Sequence, residues 1–158
     1  MLHNTDFVLR VAANTLACSK LGSISGEVWC QLGDEGFPQV GWSDLAAAVV
    51  SWWLESTVCL LDGGKRNAVM RFMDGPFEVR VCAKRRDSWQ ADLVDEHPPV
   101  KIRKVEFTPD PFLRSLIASS GEVVEQCLKN GWKSNDVDSM ILHRERLIHC
   151  MAKNRGIL

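Results

Sequence analysis

The strongest constraint on the fold is an apolar run over residues 45–61, which contains one charged residue, Glu55. The run is apolar around nearly the whole circumference of a helix, and such a helix has to be covered on most sides. It is shorter than the ~20 residues that a membrane-spanning helix needs. We therefore predict a helix buried at the centre of the fold, with Trp52 and Trp53 in the core.

The start of this helix is predicted at Ser43. Serine is a favoured N-cap residue, and Asp44 in the first turn would suit the positive end of the helix dipole. The helix should end near Leu61, because Asp62 and two glycines follow.

Segments on either side of the helix alternate between apolar and polar residues with the period of two that is typical of strands. The clearest covers residues 24–32, in which Trp29 falls on the polar face. The other segments are 6–16, 68–73, 77–82, 89–93 and 100–107. In the last segment Val100 and Ile102 fall on one face of the strand, but Val105 and Phe107 fall on the other. This change predicts a β-bulge near Arg103-Lys104.

The remainder of the chain is helical in pattern. A helix starts at Pro109, and residues 119–122 resemble a capping box that restarts or kinks it. Gly131 stands where a helix should end, and a last helix opens at Asn135.

These elements predict one α+β domain over residues 1–158. It should contain an antiparallel β-sheet of about five to six strands, a central apolar helix and two to three C-terminal helices packed on one face. Residues 1–108 hold mostly sheet plus the one helix, residues 109–152 are helical, and residues 153–158 form a tail.

Few residue patterns point to catalysis or to a cofactor. Six cysteines contain no Cys-x-x-Cys pair and the N-terminus lacks a secretion signal, so we expect free thiols in a soluble, cytoplasmic protein. His143 and His149 are six residues apart and point to different sides of a helix, so no metal site is expected and no cofactor. The run Lys84-Arg85-Arg86, in a chain of pI 6.4, is expected to be a solvated loop and not a nucleic-acid site.

Charge is distributed unevenly along the chain. Residues 21–64 contain six acids and no lysine or arginine, whereas residues 65–104 contain ten basic and six acidic residues. Asp34 and Glu35 lie in a glycine-flanked loop with no evident folding role, which favours a partner-binding surface. The predicted contact residues are Asp34, Glu35, Glu27, Asp62 and Trp29.

Two stretches carry a family resemblance. Residues 36–45 read Gly-Phe-Pro-Gln-Val-Gly-Trp-Ser-Asp-Leu and are followed at residues 49–54 by Val-Val-Ser-Trp-Trp-Leu. Residues 71–81 read Arg-Phe-Met-Asp-Gly-Pro-Phe-Glu-Val-Arg-Val. Together they resemble small bacterial immunity proteins that accompany polymorphic toxins, including those of contact-dependent growth inhibition, and residues 127–136 are similar to the same proteins. The motif positions look structural, as cap, turn and core residues: Phe37, Pro38, Trp42, Ser43, Asp44, Trp52, Trp53, Asp74, Gly75 and Pro76. Asp74 is expected to accept backbone hydrogen bonds in its turn.

The resemblance implies a protein without enzymatic activity that binds and neutralises a cognate toxin domain, a nuclease being one candidate, in a tight stoichiometric complex. Its partner would then be a protein and not a nucleic acid, a membrane or a small-molecule substrate. An acidic face would speed association with a basic nuclease. Two alternatives stay open: a non-catalytic interaction adaptor unrelated to toxins, and a small enzyme whose site is assembled only in three dimensions. A toxin gene immediately upstream would favour the immunity function over both.

Overall fold

The computed structural model describes residues 6–154, which form eight strands and three helices. The strands are β1 (Phe7–Cys18), β2 (Ile24–Leu32), β3 (Glu35–Phe37), β4 (Ser43–Asp44), β5 (Asn67–Arg71), β6 (Phe77–Cys82), β7 (Trp89–Asp95) and β8 (Lys101–Phe107). The helices are α1 (Ala46–Asp62), α2 (Pro109–Asn130) and α3 (Asn135–Asn154). The predicted α+β class is confirmed. The prediction of one sheet of five to six strands is wrong, because the strands form two antiparallel sheets of four.

The first sheet is centred on β2, which pairs with β1 on one side and with the short strands β3 and β4 on the other. Alternate residues of β2 are buried and half-buried, as its period of two predicts. The outer edge of β1 is covered by α2: the Ser115 hydroxyl accepts the Leu9 N–H at 2.9 Å, and the Ser119 hydroxyl donates to the Leu9 carbonyl at 3.1 Å. This cover prevents further strands from pairing at Leu9.

The second sheet has the order β5-β6-β7-β8, with each strand antiparallel to the next. The bulge predicted near Arg103-Lys104 is absent from the β7–β8 ladder, whose register runs without a shift from Trp89↔Phe107 to Asp95↔Lys101. Val105 and Phe107 are buried, whereas Ile102 has the opposite parity and is exposed. The apolar residues of β8 change face along the sequence because Ile102 is exposed on the solvent side of a regular strand, and not because the strand contains a bulge.

The helix α1 lies at the centre, in contact with α3, α2, β2 and β5. Trp53 is fully buried, and its indole Nε1 donates to the Arg71 carbonyl at 3.0 Å. Trp52, predicted to lie in the core, is 46% exposed. Adjacent helix residues point about 100° apart. Trp52 therefore lies on a different side of α1 from Trp53, and the neighbouring elements cover that side only in part.

The start of α1 also differs from the prediction. The N-cap residue is Leu45, whereas Ser43 and Asp44 form β4 and pair with Glu27 and Gly26 of β2. Strand pairing therefore replaces the expected capping role.

The chain after Thr108 is helical, as predicted. The helix α2 continues through residues 119–122, where the sequence suggested a restart. Ser120 is buried and donates to the Leu116 carbonyl at 2.7 Å, so it bonds within the helix and does not cap a new one. Gly131 ends α2 with a left-handed φ of 68°, as predicted. The helix α3 continues to Asn154, and residues 155–158 of the predicted tail lie outside the described residues.

Candidate partner-binding face

The two stretches that carry the family resemblance meet at the carboxylate of Asp44. This carboxylate is 5% exposed and accepts hydrogen bonds from Trp42 Nε1 at 3.1 Å and from the Leu45 N–H at 2.6 Å. It also accepts the N–H groups of Met73 at 3.0 Å and Asp74 at 3.1 Å, from the turn after β5. One buried acid therefore joins the β4–α1 junction to the β5–β6 turn.

Asp44 has the role that the sequence suggested for Asp74. The carboxylate of Asp74 is exposed and forms no hydrogen bond or ion pair with residues 6–154; only its backbone N–H takes part in the turn. The Asp74 side chain is consequently available to a partner.

Aromatic rings pack behind the same turn. Phe77 lies 5.2 Å from Trp42 and 5.8 Å from Phe37, measured between ring centroids, in edge-on geometry. Gly75 has a φ of 74°, and a Cβ there would lie 2.8 Å from the Phe77 ring, so a side chain has no room. Phe37, Trp42, Gly75 and Phe77 therefore pack together behind the turn.

The outer face of β2 carries three polar side chains and one tryptophan. Ser25, Glu27, Trp29 and Gln31 alternate with the buried residues of the strand and are each half-buried. In the β1–β2 pairing, the exposed Arg10 lies opposite Trp29. The polar parity predicted for Trp29 is therefore confirmed.

Trp29 is held in one orientation by a short chain of hydrogen bonds. Its indole Nε1 donates to Gln31 Oε1 at 2.7 Å, and Gln31 Nε2 donates to the Gly33 carbonyl at 2.7 Å. An aromatic ring that is already ordered loses little conformational freedom when a partner covers it.

The acids predicted as contact residues separate into two groups. Glu27 lies on the outer face with Trp29, beneath Gly41, and Asp34 is exposed in the two-residue turn that follows β2. Glu35 lies opposite the buried Leu32, on the other face of the sheet from Trp29, and forms an ion pair with Arg103 of β8. Asp62 lies at the far end of α1, with its carboxylate 3.9 Å from Lys153 Nζ.

A cavity of about 340 Å³ continues this face beyond β4. It is lined by Ser25, Ser43, Asp44, Leu45, Met73 and Asp74. Leu45 is 39% exposed and Met73 is 41% exposed, so the rim is apolar as well as acidic. Sequence reasoning missed both residues, because an apolar side chain beside a motif is usually assigned to the core. We define the β2 face as Ser25, Glu27, Trp29, Gln31, Asp34, Leu45, Met73 and Asp74.

The arrangement of the described residues gives little support to a metal site or to a nucleophilic cysteine. Residues 6–154 contain no group of three or more histidine, cysteine or acidic side chains that could hold a metal ion, and His3 lies outside that range. The six cysteines are free thiols. Burial raises the pKa of the Cys30, Cys127 and Cys150 thiols, which opposes formation of a nucleophilic thiolate.

Comparison with known proteins adds no relative: no protein-family model, curated protein or solved structure matches the chain. None of the helices in the described part of the chain combines the length and apolarity needed to cross a membrane.

Proposed function

We propose that the protein is an immunity protein that neutralises a cognate bacterial toxin domain by binding it one-to-one through the β2 face. The observation that carries the proposal is Trp29, fixed by Gln31, with Glu27 on the same face and the exposed Asp34 in the turn at the end of the strand. The motif resemblance supports the toxin as the class of partner.

The composition of the β2 face suits a protein partner. Protein interfaces draw much of their binding energy from a few aromatic anchors surrounded by polar groups. Trp29 would be the anchor, and Leu45 and Met73 add apolar area at the other end of the face. Glu27, Asp34 and Asp74 are the acidic residues of the β2 face, and they outnumber the neighbouring cation Arg10, which lies opposite Trp29 on β1. Glu35 is paired with Arg103.

The acidic character suggests the kind of toxin. A nuclease domain that grips phosphate is rich in basic residues, and an acidic inhibitor face attracts it before contact. Occupying that basic surface would also exclude the nucleic-acid substrate. We therefore propose a basic nuclease domain as the partner.

The first test is co-expression with the C-terminal domain of the protein encoded immediately upstream, followed by size-exclusion chromatography with light scattering. We expect one complex of 1:1 stoichiometry. If the upstream product neither binds nor is toxic, and another cellular protein is captured specifically, the adaptor alternative replaces the immunity function.

The second test asks whether the toxin binds at the β2 face. Trp29→Ala should weaken the complex about 30-fold, as expected for an anchor worth about 2 kcal/mol. Trp52→Ala is the matched control, because Trp52 is also a partly exposed tryptophan but lies on α1. If Trp52→Ala weakens the complex and Trp29→Ala does not, the partner binds elsewhere.

The third test concerns charge. Asp34→Lys should slow association several-fold at low salt, with a smaller effect at high salt where charges are screened. Glu125→Lys, a reversal at an exposed position of α2, is the control and should leave the association rate nearly unchanged. Equal effects of the two reversals would show that only net charge matters.

A further inference from the structure

A second cavity lies at the opposite end of α1 from the β4 junction. Its volume is about 580 Å³, and its walls come from the end of α1, the β6–β7 loop, the first turn of α2 and the end of α3. This volume falls within the range of about 300–1,000 Å³ that is typical of small-molecule sites.

Four cationic residues converge on this cavity. Lys84, Arg85 and Arg86 come from the β6–β7 loop, and Arg66 comes from the segment before β5. None of the four forms an ion pair with the described residues. The one acid in the lining is Asp110, which pairs with Arg114 at 2.9 Å.

Backbone and side-chain hydrogen bonds hold the cationic segments in place. The Ala83 N–H donates to the Arg66 carbonyl at 2.8 Å, and the Arg85 N–H donates to the Ser88 carbonyl at 3.1 Å. Arg86 Nη2 donates to the Asn154 carbonyl at 2.7 Å, which links the loop to the end of α3. The backbone that carries these cations is therefore ordered by hydrogen bonds, and the Arg86 side chain is anchored to the end of α3.

Several of the other lining residues are apolar. Leu60, Trp89, Leu113 and Met151 are buried in the core, and each contributes to the lining of the cavity. The cavity thus has a cationic rim and an apolar floor, an arrangement that suits a molecule with an anionic end and an apolar or aromatic body.

We propose that this cavity binds a small organic phosphate. Three of the four cations are arginines, whose planar guanidinium groups match phosphate oxygens in a two-point geometry. Four positive charges that form no ion pair with residues 6–154 suit a ligand with several negative charges better than they suit a ligand with a single carboxylate. The first turn of α2 adds the positive end of a helix dipole.

The lining favours binding without turnover. Among the described residues that line the cavity there is no serine, threonine, cysteine or histidine, and the carboxylate in the lining, Asp110, is paired with Arg114. The site is also separate from the β2 face and does not depend on the immunity function.

Isothermal titration calorimetry with adenosine triphosphate, inorganic tripolyphosphate and adenosine as probes tests the proposal. We expect adenosine triphosphate to bind more tightly than tripolyphosphate, and adenosine to give no measurable heat at millimolar concentration. The double variant Arg66→Gln/Arg85→Gln should weaken binding about ten-fold or more, because two charge-assisted hydrogen bonds are lost.

Lys129→Gln is the matched control, since it removes one exposed cation about 30 Å away at the other end of α2, by the rise of 1.5 Å per residue. Thermal melting of each variant verifies folding, and all three substitutions are at exposed positions. The proposal is overturned if the wild-type protein binds none of the probes, or if the double variant binds as tightly as the wild type. Equal affinity for tripolyphosphate and adenosine triphosphate would overturn the role of the apolar floor.

Discussion

Removing the Asp44 carboxylate should destabilise the protein more than any other single change at a motif acid. Asp44→Ala deletes the acceptor for four N–H donors, two of them in the turn at Met73 and Asp74. The turn and the β4–α1 junction would then lose their direct polar connection.

The magnitude follows from the burial of the Asp44 carboxylate, which is 5% exposed. A hydrogen bond to a charged group contributes about 1.5–3 kcal/mol, and a buried donor without an acceptor costs about 1–3 kcal/mol. Water can reach part of the vacated site, because Leu45, Met73 and Asp74 are exposed residues. We therefore expect a loss of about 2–4 kcal/mol and not the sum of four full hydrogen bonds. The protein should remain folded, since domains are typically stable by about 5–15 kcal/mol.

Urea denaturation followed by tryptophan fluorescence and by circular dichroism measures this loss. Asp44→Asn keeps one acceptor oxygen but turns an NH₂ group toward N–H donors, so it should also be destabilised, by about 1–3 kcal/mol. Asp74→Ala is the control and should change the free energy of unfolding by less than about 0.5 kcal/mol. A loss below about 1 kcal/mol for Asp44→Ala, or an equal loss for Asp74→Ala, would refute the assignment.

Three further predictions concern stability. Trp53→Ala should cost about 3–5 kcal/mol in urea denaturation and Trp52→Ala less than about 1 kcal/mol, because only Trp53 is fully buried. Burial raises the pKa of Glu78, but its hydrogen bond from Arg80 and neighbouring interactions outweigh this, so the net pKa lies below the ordinary 4.5. The stabilisation by Glu78 is then complete above pH 4.5 and is lost as the pH falls through the lower pKa of the folded protein. The difference in unfolding free energy between wild type and Glu78→Gln should therefore shrink in acid and stay constant near neutrality. Ser119→Ala should cost about 1 kcal/mol by leaving the β1 edge with an unpaired carbonyl, and equal stability of variant and wild type would contradict this role.

Local patterns predicted the elements whose environment repeats along the chain. The alternation in β2, the burial of most of α1 and the glycine at the end of α2 follow from periodicity and turn chemistry. The assembly of eight strands into two sheets was not predictable in this way, because the period of two reveals a strand but not its neighbour. The exposure of Trp52 was missed because apolar composition does not tell which side of a helix lacks a covering element.

The roles at the candidate sites depend on contacts between distant positions. Serine and aspartate are favoured both at helix caps and as acceptors for turns, and the choice for Asp44 is decided by donors 29 and 30 residues further along the chain. Arg66 likewise reaches the Lys84-Arg85-Arg86 loop only because β5 and β6 pair. Asp34 and Glu35 are adjacent in sequence, but Asp34 lies in the turn whereas Glu35 is paired with Leu32 in the sheet and forms an ion pair with Arg103.

Stability and the proposed binding activity share one structural element, the turn that Asp44 holds. The carboxylate fixes the backbone of Met73 and Asp74 from the inside, and the side chains of the same two residues form the rim of the β2 face. An interface that is ordered before binding avoids the entropy cost of ordering it during binding. Under the proposed function, Asp44→Ala should therefore accelerate dissociation of the toxin even at temperatures where the variant is fully folded, whereas Asp74→Ala should change binding without changing stability. A measurement of both quantities on both variants separates the internal role of this turn from its external one.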